Sequence, residues 1–184
     1  VVFIIFSQIV LFGFLIFIIG KILIMKKMDS ALEKSQCIFC NIVNKLEDTE
    51  ILYEDEDVSV FRDIKPASDY HILTVPKRHI EDAKCLTTND KQLVEKMLSV
   101  SKELLQKNNL SVEDARFDAR FGYHWPPFRS VKHLHLHTIA PESKMGFIAR
   151  TVFMKNSYWF VSVSYTSYCI KITCTTLTFI IPHI

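Results

Sequence analysis

Three of the chain's 7 histidines fall in one five-residue run, "HLHLH" at residues 133–137. On an extended strand successive side chains point to opposite faces. His133, His135 and His137 then share one face while Leu134 and Leu136 point into a core. A helix would scatter the same residues around its circumference, so the run demands an extended backbone, with neighbouring imidazoles roughly 7 Å apart. Three uses fit such a row: a metal site, a nucleophile flanked by proton donors, or a polar face turned to water. Water-facing strands usually carry Lys, Glu and Thr, which leaves the first two for the rest of the chain to separate.

The 184 residues make one domain with extensions. The first 20, "VVFIIFSQIVLFGFLIFIIG", carry no charge and precede "KILIMKK". Residues 1–27 are expected to be either a bilayer anchor, with Lys21, Lys26 and Lys27 holding the domain on the cytoplasmic side, or sequence upstream of a start at Met28. Membrane contact is expected only if residues 1–24 are native. The tail 161–184, rich in Thr, Ser and Ile, reads either as strand-forming sequence or as the product of a missed splice junction. The expected domain is therefore 28–160. Over residues 37–160, 17 Lys and Arg face 18 Asp and Glu. This near-neutral balance lacks the positive excess of a backbone-tracking nucleic-acid groove. Five cysteines, two of them in "CIFC", do not form a disulfide framework and suit a reducing compartment.

Along the domain, "CIFCNIV" has helical spacing and "EILYEDEDVSVFRDI" reads as strand, acidic turn, strand. "DYHILTVP" is a third strand, stopped by Pro76. From Thr88 or Asn89 a long helix follows, with Leu93, Met97, Val100, Leu104 and Leu105 on one stripe. "ARFDARFGYHW" and "KHLHLHTIAP" supply two more strands around the break "PPFRS". The expected fold is α+β: an antiparallel sheet of about five strands with one long and one short helix.

"HLHLHTI" is similar to the signature of the histidine triad superfamily, His-φ-His-φ-His-φ-φ. "CIFCNIV", "YEDEDVSVFRDIKP" and "YHILTVPKRHI" resemble its other landmarks in the same order, from Cys37 to Phe160. "GYHWPPF" and "NSYWF" resemble the adenosine phosphoramidase branch. The resemblance implies nucleotidyl transfer to a histidine and hydrolysis to AMP, with no cofactor for catalysis and a small nucleotide conjugate as substrate. It implies His135 as nucleophile, His137 as the group on the phosphoryl oxygens and leaving group, and His133 and His71 as orienting residues. Ser130 matches a position that contacts the phosphate. Asp63 matches the ribose-binding carboxylate, and Ile38, Phe39, Ile42, Phe61 and Ile64 match the apolar slot for the base, although such spacing also suits plain core.

Some members hold a structural zinc on two Cys and two His, which here are Cys37, Cys40, His79 and His133; the alternative is a pair of reduced thiols packed as small hydrophobes. The outer triad histidines would stand roughly 13 Å apart, a poor tripod for one metal. The resemblance also implies a homodimer in the cytoplasm or nucleus. The rival functions are a nucleotide-binding scaffold with incidental catalysis and an aprataxin-like deadenylase of nucleic-acid ends. Where the branch best known for phosphoramidase activity carries a Gly-rich loop before the triad, this chain has Trp125, Pro126, Pro127, Phe128 and Arg129, which reshapes the leaving-group side. His124 opens this loop, where substrate contact and simple solvent exposure both remain open.

Overall fold

The computed structural model of the chain describes residues 17–21, 36–110 and 119–164. The readings of residues 1–16, 22–35 (Met28 included) and 165–184 lie outside the described residues. Among the described residues no helix is long and apolar enough to cross a membrane.

Six antiparallel strands form one sheet in the order β1-β2-β3-β5-β4-β6. They are β1 (Ile51–Glu54), β2 (Val58–Arg62), β3 (Tyr70–Pro76), β4 (Arg120–His124), β5 (Leu136–Ala140) and β6 (Phe160–Ser162). Helix α1 (Ile38–Val43) precedes them, α2 (Lys91–Lys107) joins β3 to β4, and α3 (Phe147–Val152) lies between β5 and β6. The α+β fold with its long helix after the third strand is the expected one. Strand β6 and helix α3 are additional to that expectation. Strand β6 and the buried Val163 carry the packed unit past residue 160. Helix α3 buries none of its side chains, so it offers no apolar stripe for a sequence reading to find.

Each face of the sheet has its own partner. On one face α2 packs through Val94, Met97, Val100, Leu104 and Leu105 against Val60, Ile72, Tyr123, Leu134 and Leu136. Full burial of such side chains stabilises by roughly 1.5–3 kcal/mol each. The polar residue in this interface is satisfied: Ser101 donates to the Met97 carbonyl (2.8 Å) and accepts from Thr74 (2.7 Å). A capping box of Thr87 and Asp90 starts the helix, with Asp90 accepting from the Thr87 amide and hydroxyl.

The other face carries His71, Leu73, His137, Ile139, Gly122 and His124. Phe39 and Ile42 of α1 cover one end with Phe61, Leu73 and Val75; Met145, Phe153 and Phe160 cover the other with Ile139. The histidines lie between these two apolar groups.

The run 133–137 is not all strand. Pairing of β3 with β5 stops at Thr74 and Leu136. Continued, it would set Leu134 opposite Pro76, which has no N–H to give. The Leu134 amide instead bonds the Ile80 carbonyl (2.7 Å), and the Pro76 carbonyl accepts from the His133 ring (2.9 Å). His133, in a bend, and His135 therefore sit in a lead-in outside the pairing, and His137 alone of the three is in β5. The alternation survives, with Leu134 and Leu136 buried against α2.

Gly122 pairs with His137 across β4 and β5. A Cβ here would lie 2.5 Å from the Phe160 ring and 2.6 Å from the Val161 carbonyl oxygen. The ring can shift, but the backbone oxygen belongs to a paired strand. Gly122→Ala is expected to destabilise the chain by about 1–3 kcal/mol. In urea unfolding the midpoint should fall with an unchanged slope.

Candidate active site

All three triad histidines are buried: His133 is 0%, His135 6% and His137 4% exposed. This excludes a polar face turned to water. A neutral imidazole has one donor and one acceptor nitrogen, so its partners fix its tautomer.

The Nδ1–H of His135 donates to the His133 carbonyl (2.5 Å), which leaves the Nε2 lone pair free. The Phe39 ring packs edge-on against it at 5.1 Å between centroids. For His71, the Ala67 amide donates to Nδ1 (3.1 Å), so Nε2 bears the proton. It donates to Nδ1 of His137 (2.9 Å). His137 must then carry its own proton on Nε2, which is buried and has no protein partner. The relay runs one way, from the Ala67 amide through two imidazoles to an N–H beside the nucleophile. The His135 and His137 rings are 4.8 Å apart, closer than the spacing of an ideal strand.

Burial disfavours the charged imidazolium throughout the cluster. Desolvation lowers His71 to about 4, with Asp63 opposing. His137 is pushed well below the ordinary value by burial and by its histidine neighbours. Burial also lowers His135, partly offset by the His133 carbonyl. The site is a set of neutral rings at physiological pH.

Asp63 Oδ1 accepts the Lys65 amide (2.8 Å), while Oδ2 lies 3.5 Å from His71 Nε2 and 3.8 Å from His137 Nδ1. The carboxylate thus faces the relay, where its charge opposes the depression of His71. Asp63, His71 and His137 also have the composition of a metal site. The Ala67 amide argues against that use, because it occupies His71 Nδ1 and keeps the proton on the nitrogen a metal would need.

The expected base slot divides. Phe39, Ile42 and Phe61 are core, whereas Ile38 is 41% and Ile64 93% exposed. Ser130 is exposed in the bend before the triad.

Cys37, Cys40, His79 and His133 converge, with one ligand atom from each lying within 4.8 Å of the others. Sγ of Cys37 and Cys40 are 3.3 and 3.5 Å from His133 Nδ1, and Cys40 Sγ is 3.3 Å from His79 Nδ1. Ligands of a tetrahedral zinc at ordinary bond lengths stand about 3.5 Å apart. His133 has the matching tautomer, since its Nε2–H is committed to Pro76 and its Nδ1 lone pair faces the sulfurs. Two thiols and two imidazoles therefore fit a closed structural site. Among the described residues, no metal cluster joins all three triad histidines.

His124 is not a free loop residue. It ends β4, half-buried, and its Nδ1–H donates to the Trp159 carbonyl (3.1 Å). Its ring lies 4.8 Å from His137 and packs on Phe153 and Phe160 at 5.0 and 5.3 Å. Phe153 also contacts the rings of His71 and His137. It follows the short α3, and no pattern in the sequence marked it.

The chain matches the family described as scavenger mRNA decapping enzyme C-term binding over residues 36–152, well over half its length. It is 47% identical over 127 residues to adenosine 5'-monophosphoramidase HINT3 of Xenopus tropicalis, covering 68% of this chain and 81% of that protein. It is 47% identical over 106 residues to the bifunctional adenosine 5'-phosphosulfate phosphorylase/adenylylsulfatase HINT4 of Arabidopsis thaliana, covering 56% of this chain and 69% of that one. Among solved structures, a histidine triad protein from Clostridium difficile aligns with a TM-score of 0.53 at 28% identity, covering 61% of this chain and 96% of that one. With the triad buried, its tautomers set and these relatives alongside, the chain belongs to the histidine triad superfamily, in the family of the scavenger mRNA decapping enzyme C-terminal domain.

Proposed function

We propose that the chain is a hydrolase that cleaves the P–N bond of adenosine 5'-phosphoramidates, and of aminoacyl-adenylates at the corresponding bond, releasing AMP. The observation that carries this reading is the state of His135: its Nδ1–H is committed to a backbone carbonyl and its Nε2 lone pair is free. A neutral, oriented imidazole is an effective nucleophile near neutral pH.

The Nε2 lone pair attacks the α-phosphorus. The P–N bond breaks with its electron pair on the departing nitrogen, and water then displaces His135 from phosphorus. The unpartnered Nε2–H of His137 donates to a phosphoryl oxygen, where charge develops, in a buried site. His71 positions His137 by fixing its tautomer. Asp63, half-buried beside the relay, takes the ribose hydroxyls with its acceptor oxygens. Ser130, exposed ahead of the triad, contacts the phosphate. Ile38 and Ile64 supply apolar surface for the base.

The same reading places a zinc ion on Cys37, Cys40, His79 and His133, where its contribution is to clamp α1 to the triad lead-in. It also makes the chain a cytoplasmic homodimer, as light scattering on the purified protein would register.

The full chain and His135→Ala, incubated with adenosine 5'-phosphoramidate while AMP is followed, give the central test. AMP should come from the wild type and fall by about 10³-fold or more in the variant. Two folded proteins that bind AMP but release none would transfer the reading to a nucleotide-binding scaffold. The neutral relay has a pH signature. His71 and His137 are depressed in the folded chain, so the unfolded chain binds more protons as pH falls from the ordinary imidazole value of about 6.5 toward 4. Stability should be fully present above that window and decline through it; a urea midpoint flat between pH 7 and 4.5 would contradict the neutral relay. For the metal, elemental analysis should find zinc in the wild type and lose it in Cys40→Ser, with Tm lowered by several degrees, about 2–4 °C per kcal/mol at this chain length.

A further inference from the structure

We propose that His124 is a further catalytic residue: the acid that protonates the departing amine and the base that then activates water. The inference rests on the phosphoramidase reading.

Three observations place it. The β4–β5 register pairs Gly122 with His137, and its continuation sets His124 across from His135. The ring of His124 abuts that of His137, and His124 and His135 line the same small cleft, together with Asp82, Tyr123 and Arg129. The Trp159 carbonyl holds the Nδ1–H of His124, so Nε2 is the nitrogen able to exchange a proton. The loop that follows, Trp125 to Arg129, is the one expected on the leaving-group side, and Arg129 is tied at the cleft by Glu81 and Asp82.

His137 is less suited to this task. Its single proton faces the phosphoryl oxygens, and its other nitrogen accepts from His71. His124 has no such prior engagement at Nε2. The titratable and charged groups acting on it are His135 and His137 from β5 and its lead-in, His71 from β3 and Asp63 from the turn after β2. Burial lowers the pKa of His124, which the Trp159 carbonyl and Asp63 partly offset; a phosphoryl anion bound beside it is what favours the imidazolium of the first step.

The proton balance closes over one turnover. In the first step His135 Nε2 bonds to phosphorus, the P–N electron pair goes to the amine nitrogen, and the Nε2 proton of the His124 imidazolium passes to that nitrogen. In the second, water attacks phosphorus and gives a proton to neutral His124, while the P–N pair of the intermediate returns to His135. The amine leaves neutral and His124 ends as it began.

The test compares leaving groups in single turnover. His124→Phe keeps the ring packed among His137, Phe153 and Phe160, and His124→Gln keeps a polar group. Both are assayed beside the wild type with adenosine 5'-phosphoramidate, whose amine needs a proton, and with a nitrophenyl ester of AMP, whose phenolate does not. Both variants should lose about 10²–10⁴-fold on the phosphoramidate. On the ester they should release a stoichiometric burst of nitrophenolate at close to the wild-type rate, followed by slow turnover as the nucleotidyl-histidine accumulates. Equal losses on both substrates would reduce His124 to packing, and no loss on the phosphoramidate would make it a bystander; either overturns the proposal. A wild type that cleaves the ester but not the phosphoramidate would overturn the phosphoramidase reading and, with it, the need for this acid. A wild type that cleaves neither would do the same.

Discussion

His133 is the residue on which the arrangement depends, because three of its polar groups are committed in different directions. Its Nε2–H is held by Pro76, its Nδ1 faces two cysteine sulfurs, and its carbonyl holds the Nδ1–H of His135. The backbone around it cannot be regular strand, since a paired strand would direct that carbonyl to a neighbour's amide and not to the next imidazole. Pro76, which would lie opposite Leu134 with no N–H to give, ends the β3–β5 pairing before it reaches His133.

The sheet separates stability from chemistry. Strand alternation sends Leu134 and Leu136 into the α2 interface and the histidines to the opposite face. The apolar side anchors the strand whose other side presents the site, so ring positions are set by core packing as well as by hydrogen bonds. Gly122 extends the same logic: without a Cβ, it admits the Phe160 ring, and Phe160 supports both His124 and His137. Precision at the nucleophile needs this rigid support, because displacements on the scale of an ångström are costly in catalysis.

Much of this was legible in the residues. The triad's alternation gave the extended backbone and the buried leucines, and the α2 stripe gave the helix and most of its buried positions. "CIFC", His79 of "YHILTVPKRHI" and the first triad histidine were legible as a group through the family resemblance, and the fold brings them together. The end of strand pairing was not legible, because it depends on Pro76 lying opposite Leu134, a tertiary register. The partition of the base slot into three core residues and two exposed ones had the same cause: spacing places a residue on a face, but the covering element decides its exposure. His124 was ambiguous in sequence because its role comes from Trp159, 35 residues later. Helix α3 and Phe153 left no signal, since a helix that buries nothing has no periodicity to read.

Burying so many imidazoles is tolerable only if each nitrogen is accounted for. His71 uses both. His133 uses Nε2 for Pro76 and turns Nδ1 to sulfur. His135, His137 and His124 each commit Nδ1, to the His133 carbonyl, to His71 and to the Trp159 carbonyl. Three nitrogens remain without a protein partner, and all are Nε2: one lone pair on His135, one N–H on His137, and one lone pair on His124. A nucleophile, a donor to a phosphoryl oxygen and a site able to take or give a proton are what cleavage and hydrolysis at phosphorus require. Of the three, the His137 Nε2–H is the one buried without a protein partner, a cost that a purely structural role would have removed. A phosphoryl oxygen of the substrate completes it, while His124 and His135 line the cleft where the reacting groups meet them.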